Sequence, residues 1–161
     1  MLFRSIDYLL APVGGGGLLS GTCLSAAALA PDTRVVGCEP KMADDAFRSL
    51  QAGTIVPQTD PRTVADGLRT SLGERTYPII AAHVGEIVTV SEEAILQSMR
   101  LIWEVLKIVI EPSAAVPVAA LLENRIPRGG RIGVILSGGN VDLDSLPAWP
   151  EAPALAVKPM P

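Results

Sequence analysis

The sequence predicts an α/β protein built on an open, mainly parallel sheet with helices on both faces. Three features carry that expectation. Strand-length apolar runs alternate with helix-length runs along the chain. The strand runs at Arg34–Glu39 (RVVGCE) and Arg131–Leu136 (RIGVIL) are apolar through adjacent positions, as in strands covered on both faces. Glycine-rich turns also stand where strand runs stop. A chain of 161 residues is expected to form one core, burying roughly 70% of the surface its unfolded form exposes.

Taken in order, Ile6–Pro12 (IDYLLAP) reads as a strand ending at glycines, and the Ala/Leu-rich run Leu18–Leu29 as a helix. Arg34–Glu39 is the second strand, and Ala43–Ala52 a helix stopped by Gly53. Glu86–Val90 (EIVTV) is the third strand. Ser91 then caps a helix whose first turn carries Glu92 and Glu93, favourable at the positive end of the helix dipole. That helix is expected to reach Lys107. Glu93, Gln97, Arg100, Glu104 and Lys107 form its wet side, and Ile95, Met99, Ile102 and Leu106 its apolar side. Ser113–Leu122 (SAAVPVAALL) reads as a buried helix in which Pro117 either kinks the backbone or marks a late start. Arg131–Leu136 is the last strand. Residues 1–146 form the expected folded unit. Pro147, Pro150, Pro153, Pro159 and Pro161 mark 147–161 as an extended, poorly ordered tail.

Composition excludes several classes. Hydrophobic residues make up 48% of the chain and charged residues 19%, which excludes disorder for most of it. The net charge of −4, without any Lys/Arg block, argues against a nucleic-acid surface. No run reaches the roughly 18 apolar residues of a membrane helix. The first thirty residues invite comparison with a secretory signal, since Met1–Arg4 precedes an apolar stretch and Ala28-Leu29-Ala30 looks like a cleavage site. Asp7, Pro12 and four glycines interrupt that stretch. Cys23 and Cys38 lack CxxC or histidine spacing and read as buried thiols of a reducing cytoplasm.

Pro12–Gly21 (PVGGGGLLSG) is the most informative stretch. Four residues without Cβ atoms, between a strand and a helix N-terminus, let successive N–H groups converge on one oxyanion. Phosphate is the natural guest at that carboxyl edge of an α/β sheet. A flexible linker is the bland alternative, and the dinucleotide pattern GxGxxG is not matched. Ser137-Gly138-Gly139-Asn140 brings a hydroxyl to the same edge, although such a sequence also serves as an ordinary turn. Glu39, Asp44 and Asp45 lie within seven residues, and either converge on a hard cation or cap the helix that follows. His83, the single histidine, has no nucleophile placed for it and reads as structural.

The segments VGGGGLLSG, GCEPKMADD, TVADGLR, SLGERTYPII, IVTVSEEAI, MRLIWEVLKIVIEPSAAVPVAALL and GVILSGGNVDL occur here in the order in which they occur in pyridoxal-phosphate enzymes of fold type II. Over Ile6–Leu146 the chain resembles the serine racemase and threonine/serine dehydratase group. The resemblance implies that Gly14, Gly15, Gly16, Gly17 and the N–H of Leu18 hold the cofactor phosphate. It implies that Ser137 bonds the pyridine nitrogen and that Gly67 and Glu111 lie near the ring. It also implies a cation site for magnesium, manganese or calcium, with Glu39 and Asp45 as side-chain ligands and the carbonyl of Ala43 as a third. L-Serine or L-threonine is the implied substrate, losing its β-hydroxyl to give a 2-oxo acid and ammonia, or racemising. Dimers or tetramers are the implied assembly.

One departure stands beside the match. Family members carry an N-terminal segment about as long again, with an SFKxRG-type lysine that bonds the cofactor. The lysines here are Lys41, Lys107 and Lys158, none in such a context. The expectation is therefore a C-terminal part of such an enzyme, inactive alone, with apolar surface and a sheet edge left open. The alternative is a non-catalytic pseudoenzyme, or a subunit completed in trans by a lysine-bearing chain. A nucleotide-binding domain is a third reading.

Overall fold

The computed structural model describes residues 5–142 and 144. The elements run β1 (Tyr8–Pro12), α1 (Gly17–Leu29), β2 (Arg34–Pro40), α2 (Asp45–Ala52), a 3-10 turn (Asp66–Leu68), α3 (Tyr77–His83), β3 (Glu86–Val90), α4 (Glu92–Leu106), α5 (Pro112–Leu122) and β4 (Ile132–Val134). The four strands form one parallel sheet in the order β3-β2-β1-β4. Leu10 of β1 stands opposite Val36 on one side and Val134 on the other. The α/β class read from the sequence is the class observed.

Alternate residues of each strand feed two cores, as the period of two requires. Leu10, Val36, Cys38 and Val90 point to one face, where they meet Ile95, Met99 and Ile102 of α4 and Ala115, Val116 and Ala119 of α5. Ala11, Val35 and Ile87 point to the other, against Leu19 and Cys23 of α1, Ala46 of α2 and Ile80 of α3. Gly37 lets α1 press on the sheet, since a Cβ there would stand 2.9 Å from Leu19 Cδ2. Cys23 and Cys38 are both buried and free. Burial alone pushes the Cys23 thiol up to about 11, and it raises Cys38 further.

Several expectations need correction in detail. α2 starts at Asp45, so Ala43 lies in the loop before it. α5 begins at Pro112 and runs through Pro117; that proline therefore does not mark its start. Proline at the first helical position loses only an N–H that had no partner there. Leu106, expected on the buried side of α4, is 54% exposed, because nothing described packs over the helix end where Lys107 turns left-handed at φ 59°. β4 is shorter than Arg131–Leu136 and only half-buried. Its pairing with β1 is on one side, although the Ile135 N–H still donates to the Leu10 carbonyl at 3.0 Å. α3 and the 3-10 turn are elements beyond those the sequence predicts. The tail assigned to 147–161 lies outside the described residues.

Both faces of β4 open into apolar grooves. One, of about 640 Å³, runs along α1 past Leu9, Leu18, Leu29 and Ile135. The other, of about 390 Å³, lies between α4, α5 and the strand, lined by Leu101, Val105, Val118, Val134 and Leu136. Among the described residues no helix is long and apolar enough to cross a membrane.

Candidate functional site

β1 ends at Pro12, and the glycines that follow turn the chain into α1, with Gly16 as N-cap at φ 85°. That left-handed backbone is where glycine is needed. A Cβ on Gly16 would lie 2.6 Å from Thr76 Oγ1 and 2.8 Å from the side chains of Ile80 and Leu72. Gly14 is packed less tightly, with a Cβ there 3.2 Å from the Gly67 carbonyl oxygen by the same measure. The first N–H groups of α1 have no partner within the helix and face the space in front of the loop.

That space is a cavity of about 230 Å³ lined by Pro12, Gly14–Gly17, Leu18, Gly67, Leu68, Glu111, Ser113 and Ser137. Gly14, Gly15, Gly16, Gly17, Leu18, Gly67, Glu111 and Ser137, drawn from four separate parts of the chain, therefore meet at one place. Ser137 follows β4, and the loop behind it wraps Glu111, the N-cap residue of α5. The Glu111 N–H donates to the Gly138 carbonyl at 3.3 Å, and the Asn140 N–H donates to Glu111 Oε2 at 3.1 Å. Gly138, at φ 86°, allows this close approach.

Sequence reasoning missed Ser113. Its hydroxyl is buried, has no hydrogen-bond partner among the described residues, and lies 2.9 Å from where a Cβ of Gly67 would stand. Its position two residues after Glu111, at the start of a buried helix, was the available signal. Thr76 was missed as well; Thr-Tyr-Pro, with proline in the first turn, announces α3.

Glu39 and Asp45 lie behind this cavity, on the side of α2. Glu39 is wholly buried at the end of β2 and accepts from the N–H groups of Ala46 at 3.1 Å and Phe47 at 3.0 Å. The helix-capping role is thus filled by Glu39, while Asp44 pairs with Arg48 at 2.7 Å. Asp45 Oδ2 accepts from the Leu72 N–H at 2.7 Å, and Asp45 Oδ1 is buried without a partner among the described residues. Burial pushes the Glu39 carboxyl up to about 8, and the Asp45 and Asp44 charges add to the rise against the pull of the two N–H donors. Burial likewise raises Asp45, opposed by the Leu72 N–H. Among the described residues no cluster of three or more His, Cys, Asp or Glu side chains is disposed to hold a metal. The expected set has two such side chains, Glu39 and Asp45, with the Ala43 carbonyl as the third donor.

Lys41 and Lys107 do not line the cavity, and Lys158 lies outside the described residues. His83 ends α3, exposed and away from the cavity lining.

A family model described as pyridoxal-phosphate dependent enzyme matches residues 1–138. The beta-hydroxyaspartate dehydratase of Paracoccus denitrificans is 52% identical over 143 residues, which are 88% of this chain and 45% of that protein. The serine racemase of Dictyostelium discoideum is 46% identical over 148 residues, 89% of this chain and 46% of its own length. Its crystal structure superposes with a TM-score of 0.82. The maize serine racemase superposes with a TM-score of 0.84 at 40% identity, covering 88% of this chain and 45% of that one. The chain spans about half the length of these relatives. With the parallel sheet and a family match over residues 1–138, the chain belongs to the pyridoxal-phosphate dependent enzymes of fold type II.

Proposed function

We propose that this chain supplies the phosphate cup and ring-nitrogen contact of a pyridoxal-phosphate enzyme acting on a β-hydroxy-α-amino acid, as an ammonia-lyase or a racemase. The observation that carries the reading is the single cavity in which Gly14–Gly17, Leu18, Gly67, Glu111 and Ser137 meet. Its walls fit the cofactor. The glycine loop offers bare backbone N–H groups to the phosphate, a Cβ on Gly67 would intrude to 2.9 Å from Ser113 Oγ, and the unpaired Ser113 hydroxyl awaits a polar guest. Serine and threonine are the substrates implied by the sequence motifs. The relatives named for hydroxyaspartate extend the class to 3-hydroxyaspartate.

In this reading the N–H groups of Gly16, Gly17 and Leu18 bind the phosphate oxygens, aided by the α1 dipole. The Ser137 hydroxyl orients the pyridine nitrogen without placing a fixed charge on it. Glu111, held by the 137–140 loop, closes the wall beside Gly67. When bound, the cofactor supplies an electron sink for the amino acid's α-carbon. Glu39, Asp45 and the Ala43 carbonyl would hold a hard divalent cation, for which the partnerless Asp45 Oδ1 and the two adjacent buried carboxylates are suited. Such a cation would compensate buried negative charge beside the cup.

Among the described residues neither Lys41 nor Lys107 lines the cavity, so in this reading the α-proton is moved by a lysine from outside it. We therefore read the chain as working with a lysine-bearing half that continues the sheet. The support for that reading is the open side of β4, with an apolar groove on each of its faces. A strand paired to β4, with helices in the two grooves, would cover both. Two buried, free thiols favour a reducing compartment such as the cytoplasm.

The experiment titrates the purified chain with pyridoxal phosphate by fluorescence, then assays L-serine, L-threonine and 3-hydroxyaspartate. Each assay is run with and without the N-terminal half of the Paracoccus denitrificans dehydratase. Cofactor binding by the chain alone, with turnover only in the mixture, is expected. Failure to bind pyridoxal phosphate overturns the cup; turnover by the chain alone overturns the need for a second half.

A further inference from the structure

The glycine loop has a back as well as a front. Behind it runs the segment from Leu72 to Thr76, which leads into α3. Thr76 Oγ1 lies 2.7 Å from the Gly15 carbonyl oxygen, and the Gly73 N–H donates to that same oxygen at 3.2 Å. The Gly73 carbonyl, 3.0 Å from Thr76 Oγ1, is the competing acceptor. The segment is itself pinned: the Leu72 N–H donates to buried Asp45 Oδ2 at 2.7 Å, while Leu72 and Ile80 side chains close on Gly16.

In a trans peptide the carbonyl and the following N–H point in opposite directions. The described backbone contains no cis peptide. Holding the Gly15 oxygen toward Thr76 therefore turns the Gly16 N–H toward the cavity. Glycine at φ 85° has few steric restraints of its own, so this peptide plane needs an external hold. Two hydrogen bonds on one carbonyl oxygen provide it, and one comes from a side chain.

We propose that Thr76 is a positioning residue of the phosphate cup: its hydroxyl fixes the Gly15–Gly16 peptide so that the Gly16 N–H faces the anion. This rests on the cup reading above and goes beyond it, because Thr76 does not line the cavity.

The test compares the native chain with Thr76→Val, which keeps the shape and removes the hydroxyl, and Thr76→Ser, which restores it. Each is titrated with pyridoxal 5'-phosphate, inorganic phosphate and pyridoxal, the last lacking the phosphate. Loss of one oriented donor should weaken pyridoxal 5'-phosphate and inorganic phosphate about tenfold in Thr76→Val. Pyridoxal binding should be unchanged, and Thr76→Ser should match the native chain. Thr76→Ala replaces the valine variant if circular dichroism shows that valine disturbs the fold. Unchanged phosphate binding in the hydroxyl-free variants, or equal weakening of pyridoxal, overturns the role of Thr76 while leaving the cup intact. A native chain that binds neither phosphate nor pyridoxal 5'-phosphate overturns both.

Discussion

The carboxyl carbon of Glu111 lies 2.5 Å from the point where a Cβ of Gly138 would stand. The glycine after Ser137 is therefore the space that the glutamate occupies, and the cavity's far wall depends on a missing side chain. The Gly138 backbone is also left-handed, at φ 86°.

Gly138→Ala should consequently harm both fold and site. The left-handed backbone alone costs an alanine roughly 1–2 kcal/mol, and the Glu111 carboxylate must move as well. Denaturant unfolding should show a loss of at least that size, and pyridoxal phosphate fluorescence should fall. A variant as stable as the native chain and still binding the cofactor would remove Glu111 from the wall.

Within the glycine loop, neighbouring positions should respond in opposite ways. Gly16→Ala puts a methyl 2.6 Å from Thr76 Oγ1 at a positive φ, and should abolish phosphate binding with a drop in melting temperature. Gly17→Ala meets nothing within 4 Å at the first position of α1 and should fold at least as well as the native chain. Equal thermal stability of the two variants would contradict the described loop.

Ser113→Ala separates apo stability from ligand binding. Deleting a buried hydroxyl without a partner should raise the stability of the cofactor-free chain by about 1 kcal/mol. It should weaken pyridoxal phosphate about threefold to tenfold. If the variant is destabilised without cofactor, the hydroxyl has a partner in the apo chain and does not wait for a guest.

The pH response of Glu39 has a definite sign. Its carboxyl titrates near 8 when folded against an ordinary 4.5, so between those values the folded chain holds a proton that the unfolded chain has released. Stability from this group is full below 4.5 and is lost as the pH rises through 8. In chelator-treated protein the melting temperature should fall across that window, and magnesium or calcium should restore most at its upper end, where the carboxylates are ionised. Glu39→Gln should flatten the fall and lose the cation response. A variant that still responds fully to magnesium would place the cation elsewhere.

The sequence made the sheet legible because its strands are short, largely apolar runs alternating with helix-length runs, and the first and last of them lead into glycines. β1, β2 and β3 lie within two residues of their expected bounds, and α4 keeps the Ser91 cap, which accepts from the Ala94 N–H at 3.2 Å. β4 is shorter than RIGVIL suggests because that run is apolar enough for a covered strand, whereas among the described residues no strand pairs with its outer side. α3 escaped notice because its seven residues carry too little periodicity, and only Thr76 and Pro78 signal it. Glu39 shows a different limit. The choice between cation ligand and helix cap could not be resolved from spacing, and in the fold its carboxylate caps α2 from the preceding strand while lying near a partnerless Asp45 oxygen. No local pattern reports a carboxylate that reaches across a loop. Glu111 and Gly67 were reached through motif resemblance, since their meeting depends on tertiary contacts between distant segments.

The anion cradle proposed for the glycine loop is made of main-chain amides, and amides do not ionise in the range where proteins survive. Acid or alkali therefore does not discharge those amides; it acts on the guest, whose second phosphate proton leaves near pH 6, and on carboxyls such as Glu39 that hold the surrounding fold. A receptor of this kind keeps constant polarity across compartments of different acidity.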